Sequence, residues 1–284
     1  MNYPVIFALG SMFCAGVNDF IFKRYVSKSR LNGIYLSLTG VIWALVFYTA
    51  SLFSDGLKFN SNTVIYGLIC GFFSIVAQVF LLEGLRETDA TIGSTIYRLN
   101  FVVVIILAPL FLRESLTMFK LGGGLLAIGS ALFLSKNNQE QKKHHIYKLS
   151  FLFLVIVASI LRGLMGFFYK VAINHNVANN TFLLVNACSW ILGGLIYASF
   201  FERGTFISRK IIIYSGISGF LVAGIVLFLL LAVKGGEAII AVPISQLSFI
   251  ITSILAVLFL KEEVTMARIT GIFFAVGAIF CLSR

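Results

Sequence analysis

A stripe of polar side chains that ends in a cation lies within one long apolar stretch of the chain. Thr91, Ser94, Thr95 and Arg98 lie at positions i, i+3, i+4 and i+7, so they share one face of a helix. A charged side chain at the centre of a bilayer costs about 2.5–3.5 kcal/mol on insertion scales, and such a residue therefore faces protein or water. A guanidinium beside hydroxyls can bind a carboxylate or another anion through paired hydrogen bonds. We interpret the stripe as the wall of a solute cavity or, alternatively, as half of a structural ion pair.

A second deep cation and two carboxylates extend this set. Arg162 lies near the middle of the apolar stretch 149–171, and the same two interpretations apply to it. Asp19 and Glu83 lie toward the same membrane face as Arg98, so we expect them to be its partners when no solute is bound. Each carboxylate also has a basic residue about one turn further along the chain, and ion pairs at the helix ends are the alternative.

Other polar side chains within apolar stretches could complete a cavity by donating or accepting hydrogen bonds. The further candidates for solute binding or gating are Gln78, Tyr97, Asn100, Ser245 and Gln246. An enzyme would need an activated nucleophile with a base, or a cluster of metal ligands, inside these stretches. The four cysteines fall in four different stretches, and the three histidines lie between stretches. We therefore expect neither an enzyme nor a bound metal or cofactor.

The elements that position these residues must lie in lipid. Of the 284 residues, 59% are hydrophobic and 12% are charged, whereas a soluble domain carries about 25% charged residues. The net charge of +11 comes from Lys and Arg that lie mostly between apolar stretches, where they orient helices in a membrane. The composition therefore excludes a soluble domain and argues against a nucleic-acid partner.

A transmembrane helix needs about 20 mostly apolar residues. The sequence contains ten such stretches, which we take as the spans: 4–22, 31–53, 63–85, 90–112, 118–135, 149–171, 180–201, 210–233, 238–260 and 266–283. The longest gap between them, 136–148, is polar and basic. We predict an all-α polytopic membrane protein with ten transmembrane helices.

The chain repeats itself after 147 or 148 residues. Phe-Leu-Arg-Glu at 111–114 returns as Phe-Leu-Lys-Glu at 259–262, and Thr-Met at 117–118 returns at 265–266. Five spans per copy is an odd number, so the second copy must enter the membrane from the opposite side. The predicted organisation is two inverted five-helix repeats, residues 1–135 and 149–284, joined by the basic linker loop 136–148.

Small residues recur at one position of each copy. Gly123 and Ala127 in the fifth span match Gly271 and Ala275 in the tenth. Small residues four apart let two membrane helices approach closely. We assign these four residues to helix packing.

The basic residues are distributed unequally between the two sides of the membrane. Of the 22 Lys and Arg residues, one side receives fourteen: Lys23, Arg24, Lys28, Arg30, Arg86, Lys136, Lys142, Lys143, Lys148, Arg203, Arg209, Lys210, Lys261 and Arg268. Cytoplasmic loops carry the excess of Lys and Arg. This distribution favours a cytoplasmic linker with both termini outside.

The repeated motifs resemble those of the EamA-like branch of the drug/metabolite transporter superfamily. Halves of that family commonly end the fourth helix in an apolar-Gly-Glu turn, followed by a fifth helix that contains Gly. The resemblance covers the whole chain, with Arg113 and Lys261 where Gly is usual and Phe101 and Phe249 where a mid-helix Pro is frequent. It implies transport of a small metabolite through a cavity lined chiefly by helices 3, 4, 8 and 9. It also implies termini in the cytoplasm, the opposite of the Lys and Arg distribution.

The resulting functional hypothesis is a secondary transporter that works by alternating access as an exporter or exchanger. Its solute would be a small polar metabolite, amino-acid-like or an organic anion, because two deep arginines favour an anionic group. Asp19 and Glu83 could neutralise an amine or carry a coupling proton. We expect a multi-pass protein of the bacterial plasma membrane whose partners are the solute and the lipid bilayer. A flippase of lipid-linked substrates, or a structural membrane protein without transport, is the alternative.

Overall fold

The computed structural model describes residues 3–26, 31–54, 56–84, 96–136, 149–202, 208–260 and 265–284. These residues form helices joined by short connections, and no strand occurs among them. The helices are α1 (Tyr3–Val26), α2 (Asn32–Leu52), α3 (Ser61–Gly84), α4 (Phe101–Leu112), α5 (Met118–Lys136), α6 (Leu149–Asn174), α7 (Asn179–Phe201), α8 (Arg209–Gly235), α9 (Ala238–Gln246), α10 (Phe249–Leu260) and α11 (Met266–Leu282).

Most of these helices suit a membrane by their length and composition. Seven apolar helical segments among the described residues are long enough to cross one: Tyr3–Phe22, Asn32–Leu52, Ser61–Gly84, Ser150–Asn174, Asn179–Phe201, Arg209–Gly235 and Ala238–Phe259. Three further apolar segments are shorter: Ile96–Leu112, Met118–Phe133 and Met266–Leu282. The first six residues of the predicted span 90–112 lie outside the described residues. The chain is therefore an integral, multi-pass membrane protein.

The predicted span 238–260 is present as one apolar segment, Ala238–Phe259, but it is not a single regular helix. The chain forms α9 and α10 there, separated by a turn at Leu247 and Ser248. The span that contains α4 has the same turn at Leu99 and Asn100, 148 residues earlier. Around both turns the backbone bonds tighten to the carbonyl three residues back, as from Leu99 N to Ile96 O and from Leu247 N to Ile244 O.

Side chains next to these turns bond to backbone carbonyls three residues back. Asn100 Nδ2 donates to the Tyr97 carbonyl at 2.8 Å, and Ser245 Oγ donates to the Val242 carbonyl at 2.8 Å. Bonds of this kind weaken the regular helical ladder. The apolar character of the two stretches conceals this effect, so hydropathy alone predicts unbroken spans.

Each long helix packs mainly against helices from the other half of the chain. The closest neighbours are α1 with α8, α3 with α6, α2 with α7, and α5 with α11. Each helix has a counterpart 147 or 148 residues away in the other half. Replacing every helix by its counterpart turns the α1–α8 pair into the α6–α3 pair, whereas α2–α7 and α5–α11 map onto themselves. Trp43 of α2 and Trp190 of α7, which the shift also relates, meet edge to face with 5.7 Å between ring centroids.

The small residues of α5 and α11 lie where these two helices meet. Ala127 and Ala275 are fully buried, and a Cβ placed on Gly123 would lie 2.6 Å from the Leu282 side chain. Ser130 Oγ donates to the Gly271 carbonyl at 2.5 Å. Both helices therefore depend on small residues for their close approach.

Candidate functional site

The two helix turns touch each other near the centre of the molecule. Arg98 Nη1 donates to Ser248 Oγ at 2.5 Å, and Asn100 Nδ2 donates to Gln246 Oε1 at 3.1 Å. In the repeat register of 148, Arg98 corresponds to Gln246 and Asn100 corresponds to Ser248. Each bond therefore joins a residue before one turn to a residue within the other. The fold places four polar side chains, from both halves of the chain, at one point inside the apolar spans.

Two glycines allow neighbouring helices to reach these turns. A Cβ on Gly163 of α6 would lie 2.4 Å from the Asn100 carbonyl oxygen. A Cβ on Gly16 of α1 would lie 2.6 Å from the Ser248 carbonyl oxygen. The two glycines correspond in the repeat register, so both halves use the same close contact of a helix with a turn.

Arg98 forms an ion pair across this site. Its Nη2 lies 2.5 Å from Asp19 Oδ2 of α1, and its guanidinium lies 5.5 Å from the centre of the Phe249 ring. The Arg98 side chain is 16% exposed and the Asp19 side chain is 37% exposed. Ser248 Oγ also donates to Asp19 Oδ2 at 3.4 Å. The charge of Arg98 is thus balanced by one of its two expected partners.

Glu83, the other expected partner of Arg98, lies elsewhere. It accepts a hydrogen bond from the Tyr197 hydroxyl of α7, near the end of α3. Asp19 approaches Arg98 because α1 packs against both α9 and α10, whereas α3 packs against α6 and α7. Estimated depth in the membrane cannot distinguish these two situations.

Arg162 lies on α6, beside the first turn. Its Nη1 donates to the Met165 sulfur at 3.4 Å, and Ser159, one turn earlier on α6, donates to the Tyr97 carbonyl at 3.4 Å. A thioether is a weak acceptor. No carboxylate among the described residues lies within salt-bridge distance of this half-buried cation. Its charge is therefore not balanced as that of Arg98 is.

The remaining candidates divide into three groups. Tyr97 is partly buried, and its carbonyl accepts from Asn100 and, at 3.4 Å, from Ser159 Oγ. Gln78 is half-buried on α3. Ser245 is buried, and its hydroxyl donates to a backbone carbonyl of its own helix. Thr91 and Ser94 lie outside the described residues.

Sequence reasoning missed Ser248, Gly16 and Gly163 as parts of this site. The signal that could have identified Ser248 was the register itself, because Ser248 corresponds to Asn100. The glycine pair was visible as a match between the halves, but its contact with the turns depends on helix packing that hydropathy does not encode.

A second polar cluster lies at the end of the molecule where α9 begins. Glu114 accepts from the backbone N–H groups of Ala238 and Ile239 at 2.8 and 2.9 Å, and so caps the N-terminus of α9. Lys120 Nζ forms an ion pair with Glu237 and donates to the Ser115 carbonyl at 2.7 Å. The repeated glutamate that follows the fourth span therefore anchors a helix of the opposite half.

An apolar crevice of about 340 Å³ opens between α4 and α6, away from the two turns. Its lining residues are Phe111, Leu112, Phe167, Phe168, Val171, Asn174 and His175. Phe111 is 69% exposed on the outer surface of the helices. This crevice contains none of the charged residues described above, and we treat it as separate from the site.

A solved structure and two curated relatives are similar to this chain. A solved structure titled "Crystal structure of protein" superposes with a TM-score of 0.84 at 12% identity, covering 98% of this chain and 95% of that chain. At this identity the likeness shows the fold alone. The "Uncharacterized transporter YxxF" of Bacillus subtilis (strain 168) is 24% identical over 181 residues, which cover 55% of this chain and 58% of that protein. The chain thus matches little more than half the length of this relative.

A second relative and a family model complete the comparison. The "Uncharacterized protein MJ1333.1" of Methanocaldococcus jannaschii is 32% identical over 130 residues, which cover 46% of this chain and 93% of that protein. The model of the EamA-like transporter family matches residues 2–136 and again residues 149–284. With nearly its whole length matched in two successive copies, the chain belongs to the EamA-like transporter family.

Proposed function

We propose that this protein is a secondary transporter that moves a small polar metabolite, amino-acid-like or an organic anion, by alternating access through a central cavity. It would act as an exporter or exchanger in the bacterial plasma membrane. The observation that carries the proposal is the ion pair of Arg98 and Asp19 where the two helix turns meet. Ionisable residues inside membrane spans usually face a pathway or a partner, because lipid does not solvate them.

The proposed architecture is ten spans in two inverted five-helix repeats, 1–135 and 149–284, joined by the linker 136–148. The exchange of helix pairs under the repeat shift supports it, as does the family model, which matches each half separately. Transporters built from inverted repeats commonly bind their solute at broken helices near the membrane midplane. The turns at 99–100 and 247–248, one in each half, support this proposal because each interrupts an apolar segment.

In this mechanism the Arg98–Asp19 pair is a gate. The pair holds α1 against the two turns, since Asp19 lies on α1 while Arg98 and Ser248 belong to the turns. Separation of the pair would release α1 and expose a carboxylate and a guanidinium to solute. Asp19 could then neutralise an amine or accept a coupling proton.

Counterflow in proteoliposomes tests the proposal. Vesicles containing the purified protein would be loaded with one unlabelled metabolite at a time and then given the same metabolite in labelled form outside. We expect transient accumulation of label for at least one small polar metabolite. Arg98→Lys keeps the charge but loses the planar guanidinium fork, so it should lower this accumulation. The proposal would be contradicted if, for every metabolite in the panel, label accumulated no more than in vesicles without protein.

The crevice between α4 and α6 is the one observation that favours a flippase instead. A flippase needs a lateral opening to lipid, and the exposed Phe111 places part of this crevice on the outer surface. The same vesicles can carry a fluorescent lipid, whose movement between leaflets is followed by dithionite quenching. Protein-dependent lipid movement without counterflow of any soluble metabolite would favour the flippase.

A further inference from the structure

We infer that Arg162 is the subsite that binds the carboxylate or other anionic group of the solute. This inference rests on the proposed transport function and deepens it, because it assigns different roles to the two arginines. Arg98 belongs to the gate, where its charge is already balanced, and Arg162 binds the solute.

The charges near the middle of the spans support this division. Asp19 and Arg98 neutralise each other at 2.5 Å. Glu83 lies next to the last residue of α3, at a helix end, and is engaged by Tyr197. Arg162 lies near the middle of α6, roughly 18 Å along the helix from either end at 1.5 Å per residue. Among the described central residues, Arg162 is therefore left as an unbalanced positive charge, which the anionic group of a solute would balance.

The surroundings of Arg162 match a ligand site better than a structural ion pair. Its hydrogen bond to the Met165 sulfur leaves most of its five N–H donors for another acceptor. One turn before Arg162, Ser159 Oγ donates to the Tyr97 carbonyl at 3.4 Å, and Asn186 Nδ2 donates to the Tyr169 hydroxyl at 2.9 Å. A planar carboxylate fits a guanidinium through two parallel bonds.

The repeat shows that the fold does not need this cation. Ala15 of α1 corresponds to Arg162, and α1 makes the same close contact with a turn through Gly16 as α6 makes through Gly163. An unbalanced cation at this depth lowers the stability of the empty protein. Its presence in only one of two matching helices is explained if an anion occupies the site during transport.

Paired probes of equal shape test the inference by binding, without any need for transport. Thermal unfolding of the purified protein in detergent would be followed with acetate, benzoate and phenylacetate, each beside its amide: acetamide, benzamide and phenylacetamide. We expect at least one carboxylate to raise the unfolding temperature more than its amide. Arg162→Gln should weaken the apparent affinity for that carboxylate about tenfold or more, because a charge-assisted bond is lost. Arg162→Lys should retain part of the preference.

Two controls separate this result from other effects. Arg209→Gln removes an exposed arginine at the start of α8 and should leave the carboxylate preference unchanged. Arg162→Ala copies the corresponding Ala15 and should be at least as stable as the parent without ligand. No carboxylate preference in any pair, or a preference that Arg162→Gln retains, would overturn the inference.

The outcome is distinguishable from that of the proposed function. Counterflow of a metabolite without any carboxylate preference would support the proposed transport function and contradict the proposed role of Arg162. A carboxylate preference that depends on Arg162, with no counterflow of any metabolite, would support the proposed anion site and contradict the proposed transport function.

Discussion

The two helix turns have the same backbone arrangement but different charges. Each turn is bonded crosswise to the other, and each is contacted by a glycine on a neighbouring helix. The first turn has Arg98 beside Asp19, whereas the corresponding residues of the second half are Gln246 and Gly166. The second half therefore forms its turn without an ion pair.

This difference separates what the fold requires from what function requires. Gly16 and Gly163 are needed in both halves because a carbonyl oxygen occupies the space of a Cβ. Arg98 and Asp19 are present in one half only, although an ionised pair costs desolvation energy inside a membrane protein. The glycines therefore serve the architecture, and we propose that the charges are retained for gating.

The largest expected loss of stability comes from changing the glycine contacts, which both turns share. Gly163→Ala places a methyl 2.4 Å from the Asn100 carbonyl oxygen, and that backbone atom cannot move without disturbing the turn. We expect a loss of about 1–3 kcal/mol in the free energy of unfolding, the usual range for overpacking. Gly16→Ala should lose a similar amount. Chemical unfolding in detergent micelles measures both.

Gly129→Ala is the matched control for these two variants. Gly129 also lies within a helix, α5, but nothing lies within 4 Å of its hypothetical Cβ. It should be neutral or slightly stabilising, since Ala is the better helix former. Equal losses for Gly163→Ala and Gly129→Ala would show that the turn contact is not the cause.

A smaller effect is expected at the tryptophan pair, where the halves also differ by one polar residue. Trp190 Nε1 donates to Ser74 Oγ at 2.5 Å, whereas the buried Trp43 Nε1 has no partner in the described structure. Val222 occupies the position that corresponds to Ser74. Ser74→Val should therefore cost about 0.5–1.5 kcal/mol, the net value of one hydrogen bond.

Trp190→Phe supplies the control for this bond in the same unfolding experiment. In the Trp190→Phe background, Ser74→Val should cost less than in the parent, because the indole donor is already absent. An identical cost in both backgrounds would contradict a role for the hydrogen bond.

The sequence predicts the membrane class, the family and the repeat register, because hydropathy and matched motifs are local properties of the chain. It also indicates that Arg98 and Asp19 lie at similar depth. It does not predict the turns at 99–100 and 247–248, since hydropathy does not report a local change of backbone bonding within otherwise apolar segments. Nor does it separate Asp19 from Glu83 as the partner of Arg98, which depends on how α1 and α3 pack.

The most direct test replaces both charges of the first turn by neutral side chains. The double variant Asp19→Asn/Arg98→Gln keeps the side chains similar in size, and Gln is the residue that the second half has at this position, Gln246. We expect purified, monodisperse protein whose unfolding temperature matches or exceeds that of the parent. Counterflow of a metabolite that the parent transports should be strongly reduced at matched protein density. A double variant that transports like the parent with unchanged apparent affinity, or one that cannot fold, would contradict the proposal that these charges serve gating rather than the fold.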